Sequence, residues 1–136
     1  MKVLAIFTCY NRRELTRQSM ELLGQNKNVT FDYVIVNDGS TDGTDEMLAA
    51  MPYEIDLING DGGLFWNRGM YEAIEHAKKA HPDYEYYMLM NDDTKFVPGI
   101  FDEMLPLFAP DKVMVGAMCG DDLSLIHISE PTRHLR

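Results

Sequence analysis

Basic residues are scarce in this chain. Its 136 residues include 12 lysines and arginines against 22 aspartates and glutamates, so the formal net charge at pH 7 is −10. This deficit argues against nucleic acid as a partner, because no basic surface is available to displace phosphate counterions. It also argues against an anionic membrane surface. A diphosphate can still bind such a protein if a divalent cation lies between the like charges.

Long apolar runs are missing and cysteines are few. No segment approaches the roughly 20 apolar residues of a membrane span, so no transmembrane segment is expected. The residues after Met1 lack the small-residue cleavage site of a signal peptide. Cys9 and Cys119 lie far apart and have no metal-ligand spacing. We expect both to be small buried hydrophobic residues in a reducing compartment, which predicts a cytoplasmic protein.

Three common active-site signatures are also absent. The turn after the first apolar run, "TCYNRRE", contains no glycine, so it is not the G-x-G-x-x-G turn of dinucleotide-binding proteins. The G-x-x-x-x-G-K-[ST] phosphate loop and the G-x-S-x-G nucleophile turn are missing too. These absences argue against hydride transfer, P-loop chemistry and serine hydrolysis.

Strand-length apolar runs alternate with helical patterns along the chain. The expected strands cover residues 3–7, 31–36, 54–58, 84–90 and 113–118. The expected helices lie between them, at about residues 11–24, 44–52, 67–80 and 98–108. Asn11 and Glu14 have the spacing of a helix cap and its partner. His76 falls off the apolar stripe of the third helix, so we expect it to be a solvated residue.

The strands are apolar almost throughout, which indicates a sheet that is covered on both faces. The predicted fold class is α/β, with three α/β/α layers around a mostly parallel sheet. In such sheets ligands bind at the carboxyl ends of the strands, near the point where the strand order reverses. Polar clusters follow the first four strands, at residues 8–12, 37–42, 59–63 and 91–94. We therefore expect a ligand site at this edge.

Two of these clusters carry carboxylates that suit a nucleotide and a metal. Asp38 ends the second strand, where it can accept a hydrogen bond from a nucleobase N–H or a ribose hydroxyl. Asn91, Asp92 and Asp93 follow the fourth strand and offer the oxygen ligands that Mg²⁺ or Mn²⁺ prefers. A simple turn and a solvated helix-capping loop are the alternatives. These two alternatives are weakened because the segment after the second strand and the segment after the fourth strand are expected at the same edge of the sheet.

Four segments resemble the successive blocks of the family-two glycosyltransferases, which have the GT-A fold. These are "FTCYNR", "VIVNDGSTDGT", "NGDGGLFWNRGM" and "YYMLMNDDT", and the resemblance spans residues 2 to about 120. "GGLFWNRGM" and "LMNDDT" look most like the rhamnosyltransferase-like branch. The resemblance implies transfer of a sugar from a UDP- or dTDP-sugar donor to a hydroxyl of a glycan or lipid-linked acceptor, in polysaccharide or cell-surface glycan synthesis. It also implies a divalent cofactor, Mg²⁺ or Mn²⁺.

The resemblance assigns roles to individual positions. Asp38 matches the aspartate that hydrogen-bonds the uracil or thymine ring. The residues implied to contact the nucleotide sugar are Thr8, Tyr10, Arg12, Asp38, Asn67, Arg68 and Asp92. The implied metal ligands are Asp93 and Asn91, and Asn91 stands where many relatives have aspartate. The catalytic base of this family comes from the second half of the domain, so none is assigned, and residues 1–136 alone are expected to be an inactive fragment of a glycosyltransferase.

The sequence changes character at Leu123. The stretch "SLIHISEPTR" resembles a translated sequencing adapter. We therefore expect residues 1–122 to be the N-terminal nucleotide-sugar-binding part of an incomplete GT-A domain, and residues 123–136 to be a non-native tail. In the full-length protein, the resemblance allows either a cytoplasmic location or peripheral attachment at the inner face of the membrane.

Two other classes of protein remain as alternatives. A sugar-nucleotide pyrophosphorylase has a similar sheet but favours a glycine- and lysine-rich first loop. A non-catalytic flavodoxin-like or receiver domain would carry acidic residues after the first strand and a lysine after a late strand. The loop after the first strand instead carries Asn11, Arg12 and Arg13. Titration with nucleotides, with and without Mn²⁺, separates a glycosyltransferase from a receiver domain.

Overall fold

The computed structural model of the protein describes residues 1–109, together with Asp111 and Val113. Strands and helices alternate along the chain: β1 (Lys2–Cys9), α1 (Arg13–Leu23), β2 (Thr30–Asn37), α2 (Thr44–Ala49), β3 (Ile55–Asn59), α3 (Phe65–Ala80), β4 (Tyr86–Leu89) and α4 (Ile100–Met104). A short 3₁₀ turn (Leu105–Leu107) follows α4. Apart from Val113, the predicted fifth strand lies outside the described residues, as does the predicted tail at residues 123–136.

The four strands form one parallel sheet in the order β3-β2-β1-β4. The register aligns the last residues of three strands, because Cys9 pairs with Asn37 and Asn37 pairs with Asn59. Strands are added outward from β1 to β3 on one side, and β4 then returns to the other side of β1. The strand order therefore reverses between β1 and β4, where a parallel sheet opens a crevice at its carboxyl edge.

Alternate residues of the central strands bury on opposite faces of the sheet. On one face Phe7 and its neighbours pack with Met20 and Leu23 of α1. On the other face Ile6 and its neighbours pack with Met70 of α3. Full burial of side chains of this size stabilises the fold by about 1.5–3 kcal/mol each. The predicted α/β class is confirmed, with helices covering both faces of a parallel sheet.

The start of α1 differs from the prediction. Asn11 does not cap this helix, since the N-cap position is Arg12 and no side chain of that residue caps the helix. The Asn11 side chain instead accepts the backbone N–H of Thr41 at 2.7 Å. Asp42 accepts the N–H of Arg13 at 3.0 Å and so satisfies a free donor at the start of α1. The prediction that Asn11 caps α1 was therefore wrong, because Asp42 of the loop after β2 supplies the acceptor at the start of this helix.

The other boundaries shift by small amounts. The third helix begins at Phe65, two residues before its predicted start. The last helix begins after Gly99, whose φ of 74° places it in the left-handed region that favours glycine. Among the described residues, no helix combines the length and the apolar character that crossing a bilayer requires.

Candidate functional site

A cleft of about 450 Å³ opens at the carboxyl edge of the sheet, over the crevice between β1 and β4. The loops after all four strands contribute to it. Its lining residues are Thr8, Cys9, Tyr10, Arg12, Asp38, Gly62, Phe65, Trp66, Asn91, Asp92 and Asp93. Most of these residues lie just beyond the end of a strand, so the sheet itself sets their spacing.

The loops after β1 and β2 are joined by reciprocal hydrogen bonds. The N–H of Asn11 donates to the Ser40 hydroxyl at 2.9 Å, and the Asn11 side chain accepts the Thr41 N–H. Asp42 links the same loops through the N–H of Arg13. The Thr44 hydroxyl, assisted by the N–H groups of Arg13 and Thr44, holds the pKa of Asp42 below its usual value. These bonds fix the wall of the cleft that carries Tyr10 and Arg12.

Asp38 fixes the loop between β3 and α3. Its side chain is 3% exposed, and its two carboxylate oxygens accept the backbone N–H groups of Gly62 (2.9 Å), Leu64 (3.1 and 3.3 Å) and Phe65 (2.9 Å). Bonds from backbone N–H groups to a carboxylate are charge-assisted and stronger than neutral ones. Asp38 therefore holds the start of α3 against the end of β2.

Glycine allows the same two loops to approach closely. A Cβ atom at Gly39 would lie 2.9 Å from the backbone nitrogen of Gly62, and the φ of Gly39 is 76°. Both the contact and the backbone conformation exclude larger residues. The "DGS" segment is therefore a glycine turn seated against the loop that Asp38 anchors.

The acidic segment after β4 faces Arg12. The Arg12 guanidinium lies 2.9 Å from Asp93 Oδ2 and 3.4 Å from Asp92 Oδ1. The Ser19 hydroxyl donates to the backbone carbonyl of Asp92 at 3.2 Å and to that of Thr94 at 2.6 Å. Burial, and to a smaller extent the neighbouring Asp93, raises the pKa of Asp92 to about 6, although Arg12 acts in the opposite direction. Asp93 is the more exposed of the two carboxylates.

Aromatic side chains form the remaining wall. Phe65 is 75% exposed and Trp66 is 56% exposed, although both line the cleft. The Trp66 indole N–H donates to Asn91 Oδ1 at 3.1 Å, which connects the start of α3 with the loop after β4. Tyr10 is also mostly exposed. Exposed rings beside a cleft offer flat surfaces on which a base or a sugar can stack.

Thr8 and Cys9 form the floor of the cleft. The Thr8 hydroxyl donates to the Val36 carbonyl at 3.2 Å. A Cβ atom at Gly69 would lie 2.5 Å from Thr8 Oγ1, so α3 packs on β1 as closely as a glycine permits.

Burial, and to a smaller extent the neighbouring acidic residues, raises the pKa of the Cys9 thiol to about 12. The free Cys9 thiol is buried and unreactive, as its predicted role as a small hydrophobic residue requires.

The structure brings most of the predicted site residues together. Thr8, Tyr10, Arg12, Asp38, Asn91, Asp92 and Asp93 all line the one cleft. Asn67 and Arg68 do not line it. They lie exposed on the first turn of α3, where Arg68 is 3.5 Å from Glu72. Because α3 begins at Phe65, its first residues present aromatic rings to the cleft, and the role of Phe65 was missed from the sequence.

The lining of the cleft is acidic. Among the described residues that line it, Asp38, Asp92 and Asp93 are acidic and Arg12 is the basic residue. An anionic ligand in this cleft would meet an excess of negative charge, so a cation beside Asp92 and Asp93 would favour its binding.

Comparison with known families agrees with this geometry. The family model described as "Glycosyl transferase family 2" matches residues 5–122. The matched region contains all four loops that surround the cleft. No curated protein matches the chain.

Proposed function

Because the chain belongs to glycosyl transferase family 2, we propose that its cleft binds the nucleotide diphosphate of a sugar donor, with UDP or dTDP as the nucleotide. The proposed reaction moves the sugar to a hydroxyl of a glycan or lipid-linked acceptor, in polysaccharide or cell-surface glycan synthesis. The observation that carries the proposal is the position of Asp92 and Asp93, which line a cleft where the strand order reverses.

Family membership favours this function over the two alternatives. A sugar-nucleotide pyrophosphorylase and a receiver domain share the layered α/β architecture, but a match to glycosyl transferase family 2 over residues 5–122 supports a transferase. The segments "GGLFWNRGM" and "LMNDDT" support placement in the rhamnosyltransferase-like branch.

A divalent cation, Mg²⁺ or Mn²⁺, fits the acidic side of the cleft. Asp93 is partly exposed, and Arg12 contacts its Oδ2, which leaves carboxylate oxygens available to a cation. Asn91 is the second proposed ligand, and it would exchange its hydrogen bond with Trp66 for the metal. When bound, the cation would offset the charge that develops on the leaving diphosphate. Arg12 supplies a fixed positive charge on the same side.

The nucleotide is proposed to lie across the ends of β1 and β2. Thr8 and Tyr10 lie on the β1 side, and Asp38 lies on the β2 side. Tyr10 offers a ring for stacking, and Asp38 offers an acceptor for the pyrimidine N3–H. Asn67 and Arg68 directly follow the aromatic wall and are proposed to meet the sugar or its phosphates.

The location and the domain boundary are part of the proposal. The buried free thiol of Cys9 supports a reducing compartment, and we propose the cytoplasm, with peripheral attachment at the inner face of the membrane in the full-length protein. The family match ends at residue 122, which supports residues 123–136 as a segment outside the domain.

Substitution of Asp93 tests the proposed metal site. Calorimetric titration of UDP and dTDP in Mn²⁺, at about pH 7.5 and so above the pKa of Asp92, should show binding to the wild-type protein. The Asp93→Ala variant should bind at least about tenfold more weakly, because losing even a group that only supports a metal ligand typically costs about 10–100-fold in affinity. Asp83→Ala, which changes an exposed aspartate before β4, is the matched control.

Two results would contradict the proposal. Equal nucleotide affinities of the Asp93→Ala and Asp83→Ala variants would contradict metal binding by Asp93. A wild-type protein that binds neither nucleotide in Mn²⁺ would contradict the assignment of the cleft to a UDP- or dTDP-sugar donor. Circular dichroism should verify that the Asp93→Ala variant is folded, so that weaker nucleotide binding can be attributed to the missing carboxylate.

A further inference from the structure

Two histidines and an aspartate converge outside the cleft. His76 Nε2 lies 2.6 Å from Asp56 Oδ2, and His81 Nε2 lies 2.7 Å from the same oxygen. The three ligand atoms all lie within 4.8 Å of one another. His76 was predicted to be a solvated helix residue, but it faces this cluster and is only partly exposed. The sequence did not reveal the group because Asp56 and His76 are 20 residues apart.

The cluster lies at the edge of the sheet opposite the cleft. Asp56 is the second residue of β3 and pairs with Val34 of β2, several residues before the carboxyl ends of these strands. The helix α3 runs back along the sheet from the cleft. His76, near the end of α3, and His81, just beyond it, therefore lie near the amino ends of the strands. The cluster is therefore separate from Asp92 and Asp93.

His81 is held in place by three contacts that do not involve Asp56. Its backbone N–H donates to the Ala77 carbonyl at 2.9 Å, and its own carbonyl accepts the Tyr87 hydroxyl at 2.6 Å. Its ring meets the Tyr84 ring edge-on, with the ring centroids 6.0 Å apart. Asp56 is equally fixed by the ladder of β3. The ligand positions are thus set by the fold rather than by the cluster itself.

We propose that Asp56, His76 and His81 bind one transition-metal dication of the Zn²⁺ type. Imidazole nitrogen suits Zn²⁺ and its neighbours in the first row, whereas Mg²⁺ and Mn²⁺ favour oxygen ligands, so the site differs chemically from the one proposed at Asp93. Two imidazoles and one carboxylate form a three-ligand set that leaves the fourth position to water.

The geometry permits this binding with shifts of at most about 1.5 Å in the separation of any two ligand atoms, since these atoms lie within 4.8 Å of one another. Ligand distances of about 2.0–2.1 Å in a tetrahedral site put neighbouring ligand atoms about 3.3 Å apart. The present Nε2 to Oδ2 distances are 2.6 and 2.7 Å, so they would open by roughly 0.6 Å when a metal enters. The side chains of Asp56, His76 and His81 are each about one-third exposed, which gives the ion a route from solvent.

The metal would connect β3 with the end of α3. It would therefore join the sheet to the helix that covers one of its faces. Such an ion would stabilise the folded chain by an amount that rises with the logarithm of its concentration over its dissociation constant. It would do so without contacting the donor cleft.

The test uses the full chain and two metals. Zn²⁺ affinity is measured by competition with a chromogenic chelator, and Co²⁺ is added separately to record the visible absorption of a tetrahedral site. We expect His76→Ala and Asp56→Asn each to weaken Zn²⁺ binding at least about tenfold and to abolish the Co²⁺ bands, because losing even a group that only supports a metal ligand costs about 10–100-fold. Asp56→Asn keeps the size of the side chain, so it serves if His76→Ala folds poorly.

Matched controls separate this site from other ligands in the chain. His127→Ala with His134→Ala removes the other two histidines, and Asp93→Ala removes the proposed donor-site ligand. Both control proteins should keep wild-type Zn²⁺ affinity and Co²⁺ absorption. Conversely, His76→Ala should leave UDP binding in Mn²⁺ unchanged, so this inference and the proposed function can fail separately.

The inference is overturned by either of two results. The wild-type protein could fail to compete with the chelator for Zn²⁺, or the His76→Ala and Asp56→Asn variants could retain wild-type affinity. In both cases Asp56 and the histidines would form only a hydrogen-bonded group on the surface.

Discussion

Asp38 serves the fold and the cleft with one carboxylate. It accepts two backbone N–H groups from the loop before α3 and one from Phe65, the first residue of α3, and it also lines the cleft. A carboxylate has about four acceptor positions, so three donors leave capacity for one more. The same residue can therefore anchor the aromatic wall and accept the N3–H of a pyrimidine.

Substitution of Asp38 should change base selectivity as well as affinity. In the Asp38→Asn variant, UDP binding in Mn²⁺ should weaken by about 1–3 kcal/mol, because the amide NH₂ that replaces one carboxylate oxygen cannot accept the N3–H of uracil. CDP should lose less, since the N3 of cytosine is an acceptor and the asparagine amide can donate to it. The ratio of UDP to CDP affinity, measured by calorimetry, should therefore fall.

Asp61→Asn is the control for this experiment. Asp61 lies in the same loop, where it accepts the Gly63 N–H at 2.8 Å, but it does not line the cleft. A weakened loop alone would lower UDP and CDP affinity together. An unchanged UDP to CDP ratio in Asp38→Asn would restrict the role of Asp38 to holding the loop.

At the scale of elements, α4 depends on distant partners. The helix has five residues, too few to be stable alone. Asn26 Oδ1 accepts the N–H groups of Phe101 and Asp102 at 2.9 and 3.1 Å, and Asp102 accepts those of Lys27 and Asn28. These N–H groups of Lys27 and Asn28 hold the pKa of Asp102 below its usual value.

Loss of the Asn26 side chain should therefore loosen α4. Asn26→Ala should lower the free energy of unfolding by about 0.5–2 kcal/mol, the range for losing a side-chain helix cap. Asn26 is buried, so water cannot readily replace the lost acceptor. Urea denaturation followed by circular dichroism measures the change.

Asn28→Ala provides the comparison. Asn28 is exposed and contacts Asp102 through its backbone, so removing its side chain should change stability by less than about 0.5 kcal/mol. If the two variants were equally stable, the cap would not be what holds α4 to the sheet.

At the scale of the whole molecule, the four loops close a ring around the cleft. The β1 loop bonds to the β2 loop through Asn11, and the β2 loop bonds to the β3 loop through Asp38. Trp66 connects onward to Asn91, and Arg12 returns from Asp93 to the β1 loop. Each of the four loops is therefore tied to its neighbours by side-chain hydrogen bonds.

Removal of residues 123–136 should not destabilise the protein. These residues are proposed to lie outside the domain, so the melting temperature should change by less than about 3 °C, roughly the effect of 1 kcal/mol in a domain of this size. Differential scanning calorimetry of the full and shortened chains measures this.

A longer deletion, from Gly99 onward, is the positive control. It removes Phe101, whose ring lies 5.1 Å from that of Phe31, together with the partners of Asn26. This deletion should lower the melting temperature clearly. A comparable fall on removing residues 123–136 alone would mean that the segment belongs to the domain.

The sequence by itself determined the order of elements, the layered fold and most of the cleft. Apolar runs and helical spacing are local properties, and they identified β1 to β4 because burial on both faces leaves no polar residues to interrupt a strand. The rule that parallel strands end at one edge then placed Asp38 at the same edge of the sheet as Asp92 and Asp93.

Only the tertiary structure decided the strand order and the contacts between distant residues. Asn11 bonds to Thr41 instead of capping α1, since a loop 30 residues away competes for its side chain. Phe65 reaches the cleft because Asp38 fixes the start of α3. Asp56 meets two histidines because α3 folds back along the sheet toward the amino ends of its strands. Each of these contacts depends on packing between separate elements, which local periodicity does not encode.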